Sequence, residues 1–153
     1  MGIAIHPLFR LTQFKVLLKP GSQIHERLNM KYTIDKQEKY SLLRLHEEKL
    51  DSSVAPSLKS ELITLHAEGI KNIILDLGEV KYTDSSGLSA LLVGNRILQE
   101  DGGVFVLASL SDHTTKLIKI SQLDSVLNIV LTVQEAIDSV FMHEIEKDMK
   151  TDL

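Results

Sequence analysis

Two short runs, NIILDL (72–77) and VFVLAS (104–109), are almost continuously apolar. A strand with one face in water alternates apolar and polar residues, whereas a strand covered on both faces reads as an unbroken apolar run. The run at 72–77 is therefore expected at the centre of a sheet with layers on both sides. A helix-length segment separates the two runs, so the connection between them is a crossover, right-handed by rule.

The neighbouring segments complete the pattern. Tyr32 and Ile34 alternate with polar residues, and YSLLRLH (40–46) follows the polar step KQEK, which reads as a hairpin connection. Asp51, Ser52 and Ser53 are N-cap candidates for a first helix, with Pro56 in its first turn and Gly69 as its stop. Val54, Leu58, Leu62 and Leu65 recur along it at helical spacing. A second apolar helix carries Leu88, Leu91, Leu92, Ile97 and Leu98 and ends at Asp101-Gly102-Gly103. SDHTTKLIKI (111–120) reads as a third helix and VLNIV (126–130) as a last short strand. The stretch from Thr132 to Glu135 is a capping box that opens a final helix. The fold class is α/β, a mixed β-sheet with crossover helices in the order β-β-α-β-α-β-α-β-α.

With 153 residues, 43% of them hydrophobic, the chain is long enough for one domain with a real core. The absence of cysteine excludes a disulfide framework, a thiolate metal site and a cysteine nucleophile. Charge is unevenly placed: residues 1–29 carry a net +3 and leave −7 on the rest of a chain whose total is −4. Residues 1–29 hold Pro7, Pro20 and Gly21 without a sustained period, and are set apart as a leader, an upstream start or an added segment. The domain is expected over 30–145, with 146–153 as a charged tail. An acidic domain without a clustered basic surface makes direct nucleic-acid binding a poor expectation. No apolar run reaches the length of a membrane span.

One motif carries chemistry, Tyr-Thr-Asp-Ser-Ser-Gly-Leu at 82–88, between the central strand and the second helix. In its plainest role, Asp84 or Ser85 accepts from free N–H groups of the first helical turn, and Gly87 permits close packing. In addition, Ser85 and Ser86 are expected to be exposed at the positive end of the helix dipole. A phosphate there is compatible with the fold, yet adds roughly −1.5 to −2 charges beside Asp84 and disfavours a close-packed partner.

The stretch ILDLGEVKYTDSSGLSALLVGNRIL resembles the signature of STAS domains, the sulfate transporter and anti-sigma factor antagonist family. RLHEEKLDSSVAPSLKSEL is similar to the second strand and first helix of that family, with an acidic residue, Asp51, at the turn; 101–137 is similar to its last third. The resemblance spans roughly 31–142. It implies a bacterial, cytoplasmic regulator of transcription that acts in signal transduction by partner switching, not an enzyme, and it implies no cofactor and no metal. The implied partners are an anti-sigma factor that is also a GHKL-type serine kinase and a PP2C-type phosphatase. Ser86 matches the phosphoacceptor, and Asp51, Asp84, Ser85, Gly87 and Leu88 match the partner-binding face. The family also implies an alternative, a scaffold or a lipid-transport-complex subunit with no sigma-factor partner.

Other chemistries fit the residues less well. A hydrolase elbow, G-x-S-x-G, needs glycine two positions before the serine, where Thr83 and Asp84 stand. No phosphate-binding G-x-x-x-x-G-K-S/T loop occurs. Asp76 ends an apolar strand as a receiver phosphoacceptor does, but the acidic pair Glu47-Glu48 follows the second strand and Thr132 stands where a receiver needs lysine. Asp76 is expected instead to hydrogen-bond the loop that follows it. His143, Glu144 and Glu146 read as a solvated helix face rather than as a metal site.

Overall fold

The computed structural model describes residues 23–27 and 30–151. Its elements are β1 (Gln23–Arg27), β2 (Met30–Lys36), β3 (Ser41–Leu45), β4 (Lys49–Leu50), α1 (Ala55–Ala67), β5 (Asn72–Asp76) and β6 (Tyr82–Thr83). There follow α2 (Ser85–Glu100), β7 (Val104–Ala108), α3 (Asp112–Ile120), β8 (Asn128–Val130) and α4 (Val133–Thr151). Six strands form one mixed sheet in the order β1-β2-β3-β5-β7-β8. The first three are antiparallel neighbours, and β3, β5, β7 and β8 run parallel.

Both faces of the central strands are covered, which accounts for their unbroken apolar sequence. Successive side chains of a strand point to opposite faces. Ile73, Leu75, Phe105 and Leu107 therefore join Leu58, Leu62, Leu65, Leu91, Leu98 and Ile118 from α1, α2 and α3 in one buried cluster. Ile74, Val104, Val106 and Ala108 point the other way, onto Ala136 and Val140 of α4. A polar clamp fixes the start of the central pair, because Asn72 accepts from the Val104 N–H at 3.0 Å and donates to the Lys39 carbonyl at 2.9 Å and to Glu144 at 2.7 Å.

Both chain boundaries differ from the sequence reading. The sheet begins before Met30, because β1, inside the segment set apart as a leader, pairs with β2 from Gln23↔Ile34 to Arg27↔Met30. The rest of that segment, residues 1–22, lies outside the described residues. At the other end α4 runs without a break through position 145 to Thr151, across the stretch expected as a tail. Met, Glu and Lys are good helix formers, and one polar side can stay in water while the helix continues. The capping box at its start is real but shifted. Thr132 Oγ1 accepts from the Glu135 N–H at 3.1 Å, while the Glu135 carboxylate reaches the Leu131 N–H at 3.2 Å.

The first helix also starts differently. Its N-cap is Val54, which is buried and makes no side-chain cap bond, with Pro56 in the first turn as expected. Asp51 and Ser53 form their own turn just upstream, and the Asp51 carbonyl accepts from the N–H groups of Val54 and Ala55.

Candidate functional site

A two-residue parallel ladder outside the main sheet assembles the site. Lys49 pairs with Tyr82 and Leu50 with Thr83, so the turn at Asp51 and the helix start at Asp84 leave the ladder side by side. The Asp84 N–H donates to the Leu50 carbonyl at 3.2 Å. Asp84 is the N-cap of α2, and its carboxylate accepts from the Gly87 N–H at 3.1 Å. The cap expected from the sequence is therefore present, with Asp84 rather than Ser85 as the acceptor.

With the cap made by Asp84, the two serines occupy the first helical positions. Ser85 is exposed and Ser86 is half-buried. Together with Ser89 they form one wall of an open groove of about 350 Å³, whose other wall is Ser52, Ala55, Pro56 and Lys59 at the start of α1. Gly87 and Leu88 differ from the partner-facing role the resemblance implies. Gly87 is buried against Leu50, and Leu88 is 6% exposed and belongs to the core. They occupy the third and fourth helical positions, the side of an amphipathic helix that turns toward the sheet. They support the surface from below; of the other residues singled out by the resemblance, Asp84 and Ser85 are exposed and Asp51 and Ser86 are half-buried.

A second brace holds the loop from the side of α3. Thr83 Oγ1 lies 2.9 Å from Thr114 Oγ1, both side chains buried, and Ser111 donates to the Lys81 carbonyl at 3.0 Å. The Thr83 N–H points at His113 Nδ1 at 3.4 Å, and the His113 ring meets the Tyr82 ring edge-on, with centroids 5.4 Å apart. None of these contacts was expected from the sequence. The only signal for them is the Ser111-x-x-Thr114 helix start, whose Ser111 caps α3 by accepting from the Thr114 N–H.

Asp76 behaves as expected of a strand-end residue. Its carboxylate accepts from the Gly78 N–H at 2.9 Å and from Arg44 Nε at 3.0 Å. Both oxygens are thus engaged in structure. Among the described residues no group of three or more His, Asp or Glu side chains is gathered for a metal ion, and no helix is long and apolar enough to cross a membrane.

The Asp51 carboxyl is held below its ordinary pKa. The hydroxyl of Ser53, donating at 2.6 Å, is the largest cause, followed by the Ser53 N–H; both favour the carboxylate and lower the value below 3.8. A lowered folded-state pKa contributes stability that is present above the unfolded value and fades as pH falls through the folded one. The Asp51 turn is thus fully formed at neutral pH and loosens only in acid, below about pH 4. Ser53→Ala should raise the Asp51 pKa toward 3.8, as followed by carboxyl carbon NMR titration; an unchanged titration curve would show that the hydroxyl is not its cause.

The sequence model of the STAS domain family matches residues 31–136. The chain belongs to the STAS domain family. Among its relatives is the Bordetella bronchiseptica protein BtrV, named as a candidate anti-sigma factor antagonist, 32% identical over 92 residues that cover 60% of this chain and 78% of BtrV. The crystal structure of an anti-sigma factor antagonist from Mycobacterium paratuberculosis superposes with a TM-score of 0.66 at 19% identity, over 75% of this chain and 97% of that one. The Bacillus cell fate determinant SpoIIAA in its phosphorylated form superposes with a TM-score of 0.57 at 24% identity, over 71% of this chain and 98% of that one. At these identities the two structures establish the STAS fold of the chain. The α/β class, the mixed sheet and its crossover helices agree with the sequence reading.

Proposed function

We propose that the chain is an anti-sigma factor antagonist switched by phosphorylation at Ser86. In this reading the unphosphorylated protein binds an anti-sigma factor that is also a GHKL-type serine kinase, through a surface that includes Asp51 and Asp84. The kinase transfers the γ-phosphoryl group of ATP to Ser86 Oγ, whose proton is lost while ADP leaves, and the phosphorylated protein is released. A PP2C-type phosphatase restores the serine. The chain supplies the switch and the kinase supplies the chemistry, so no catalytic residue is assigned.

The observation that carries this reading is the placement of Ser86 in the first turn of α2, at an open groove and two residues after an exposed acidic cap. An anion is favourable at a helix N-terminus, so a phosphate there leaves the domain folded. The same phosphate adds like charge beside Asp84 and bulk to the surface, which disfavours a docked partner. The name borne by BtrV supports the role.

Incubation with the cognate kinase and ATP should add one phosphate, mapped by peptide mass to Ser86. Ser86→Ala should bind the kinase as the unmodified protein does, and Ser86→Asp should bind at least about tenfold more weakly, a difference of about 1.4 kcal/mol. Equal calorimetric affinities for those two variants would remove the switch. Phosphate found only on Ser85 or Thr83 would move the site.

A further inference from the structure

The groove beside Ser86 has one cation among the described residues that line it. Lys59 lines it together with Ser85, Ser86 and Ser89, and Ala55 and Lys59 on α1 face Ser85 and Ser89 on α2 as two i, i+4 pairs across the gap. Lys59 is half-buried, whereas most described lysines are exposed. Lys36 and Lys81 are tied to Glu68 and Glu48 on the surface, while among the described residues Lys59 meets no carboxylate. The remaining groove lining is hydroxyl and apolar, so among the described residues no group pairs with this charge.

We propose that Lys59 is the counter-ion of a phosphoryl group on Ser86, which deepens the phosphoregulation reading and rests on it. The four-carbon stem of lysine is long and flexible, and its ammonium is a compact donor suited to phosphate oxygens. Ser86 and Lys59 line the same groove, so a phosphate on Ser86 and the lysine side chain share one opening. The pairing has two consequences. It favours the dianion over the monoanion and so holds the phosphate at its full charge near neutral pH. It also occupies the cation that the unmodified groove presents to a partner, so the surface changes at two points for one modification.

The test installs phosphoserine at position 86 during synthesis, which makes it independent of any kinase, and follows the second phosphate ionisation by phosphorus NMR. An ordinary phosphoserine loses its second proton near pH 6. In the otherwise unmodified chain that value should lie lower. Lys59→Met should raise it by roughly half a pH unit, the size expected of one nearby unit charge at high effective dielectric. Lys59→Arg should keep it low. Lys147→Met removes the same charge beside Gly102, at the opposite end of the strands, and should leave the titration unchanged. Indistinguishable curves for Lys59→Met and Lys147→Met, with both variants folded by circular dichroism, would overturn the pairing. Failure of a kinase to modify Ser86 would instead count against the phosphoregulation reading and leave this titration intact.

Discussion

Gly103→Ala is expected to lower stability by about 3 kcal/mol or more, the upper range for overpacking a rigid site. A Cβ built on Gly103 stands 1.8 Å from the Lys71 carbonyl oxygen and 2.7 Å from its carbon. Backbone atoms cannot rotate away as a side-chain end can, so either the start of β7 or the segment before β5 must move. Both are pinned, because Asn72 and Val104 form the first pair of the ladder and the Asn72 side chain bonds across it. For a domain of this size the loss corresponds to a fall in melting temperature of roughly 10 °C. Gly102→Ala provides the comparison. Its φ of +75° carries a strain of about 1 kcal/mol for alanine, but its Cβ meets only the end of Lys147 at 3.7 Å. Urea unfolding should therefore rank Gly103→Ala well below Gly102→Ala. A Gly103→Ala variant within about 1 kcal/mol of the parent would show that the strand starts can separate, contrary to the clamp described at Asn72.

What the sequence disclosed and what it hid divide along a physical line. Burial on two faces leaves a local trace, so the apolar run at 72–77 announced its central position, the run at 104–109 announced a strand, and helical spacing announced α1 and α2. The Asp84 cap was readable because capping needs an oxygen at one position and a free N–H three residues on. The ladder between Lys49–Leu50 and Tyr82–Thr83 was not readable, since two residues have no period and the bonds join backbone groups over thirty residues apart. The brace from Thr114 to Thr83 was hidden for a related reason: a lone threonine looks alike in sequence whether it faces water or another threonine. Strand β1 was missed because an edge strand needs only one partner, and its residues show no clean alternation. Thus the chemical groups of the site could be named from the sequence, while the geometry that gathers them depended on long-range contacts.

The second large effect is expected inside the site itself. Gly87→Ala should destabilise the protein by about 2 kcal/mol and loosen the junction between Asp51 and Asp84. Helix propensity alone predicts the opposite, because alanine is favoured over glycine within a helix by up to about 1 kcal/mol. Contact decides the sign. A Cβ at Gly87 stands 2.4 Å from the Leu50 carbonyl oxygen, 2.7 Å from Thr83 Cγ2 and 2.9 Å from Leu50 Cγ. The carbonyl it strikes is the one that accepts from the Asp84 N–H, so relieving the clash lengthens the bond that holds the helix start against the ladder. Gly94 separates this mechanism from general crowding, since the nearest atoms to its Cβ, at 2.9 Å, are the side-chain ends of Leu62 and Phe105, far from the ladder. Hydrogen exchange at the Asp84 amide should accelerate in Gly87→Ala beyond what its global stability explains, and in Gly94→Ala only in step with global stability. Unchanged Asp84 exchange in Gly87→Ala, with stability at or above that of the parent, would mean that the ladder gives way without cost. Glycine would then owe its place at position 87 to something other than contact with Leu50.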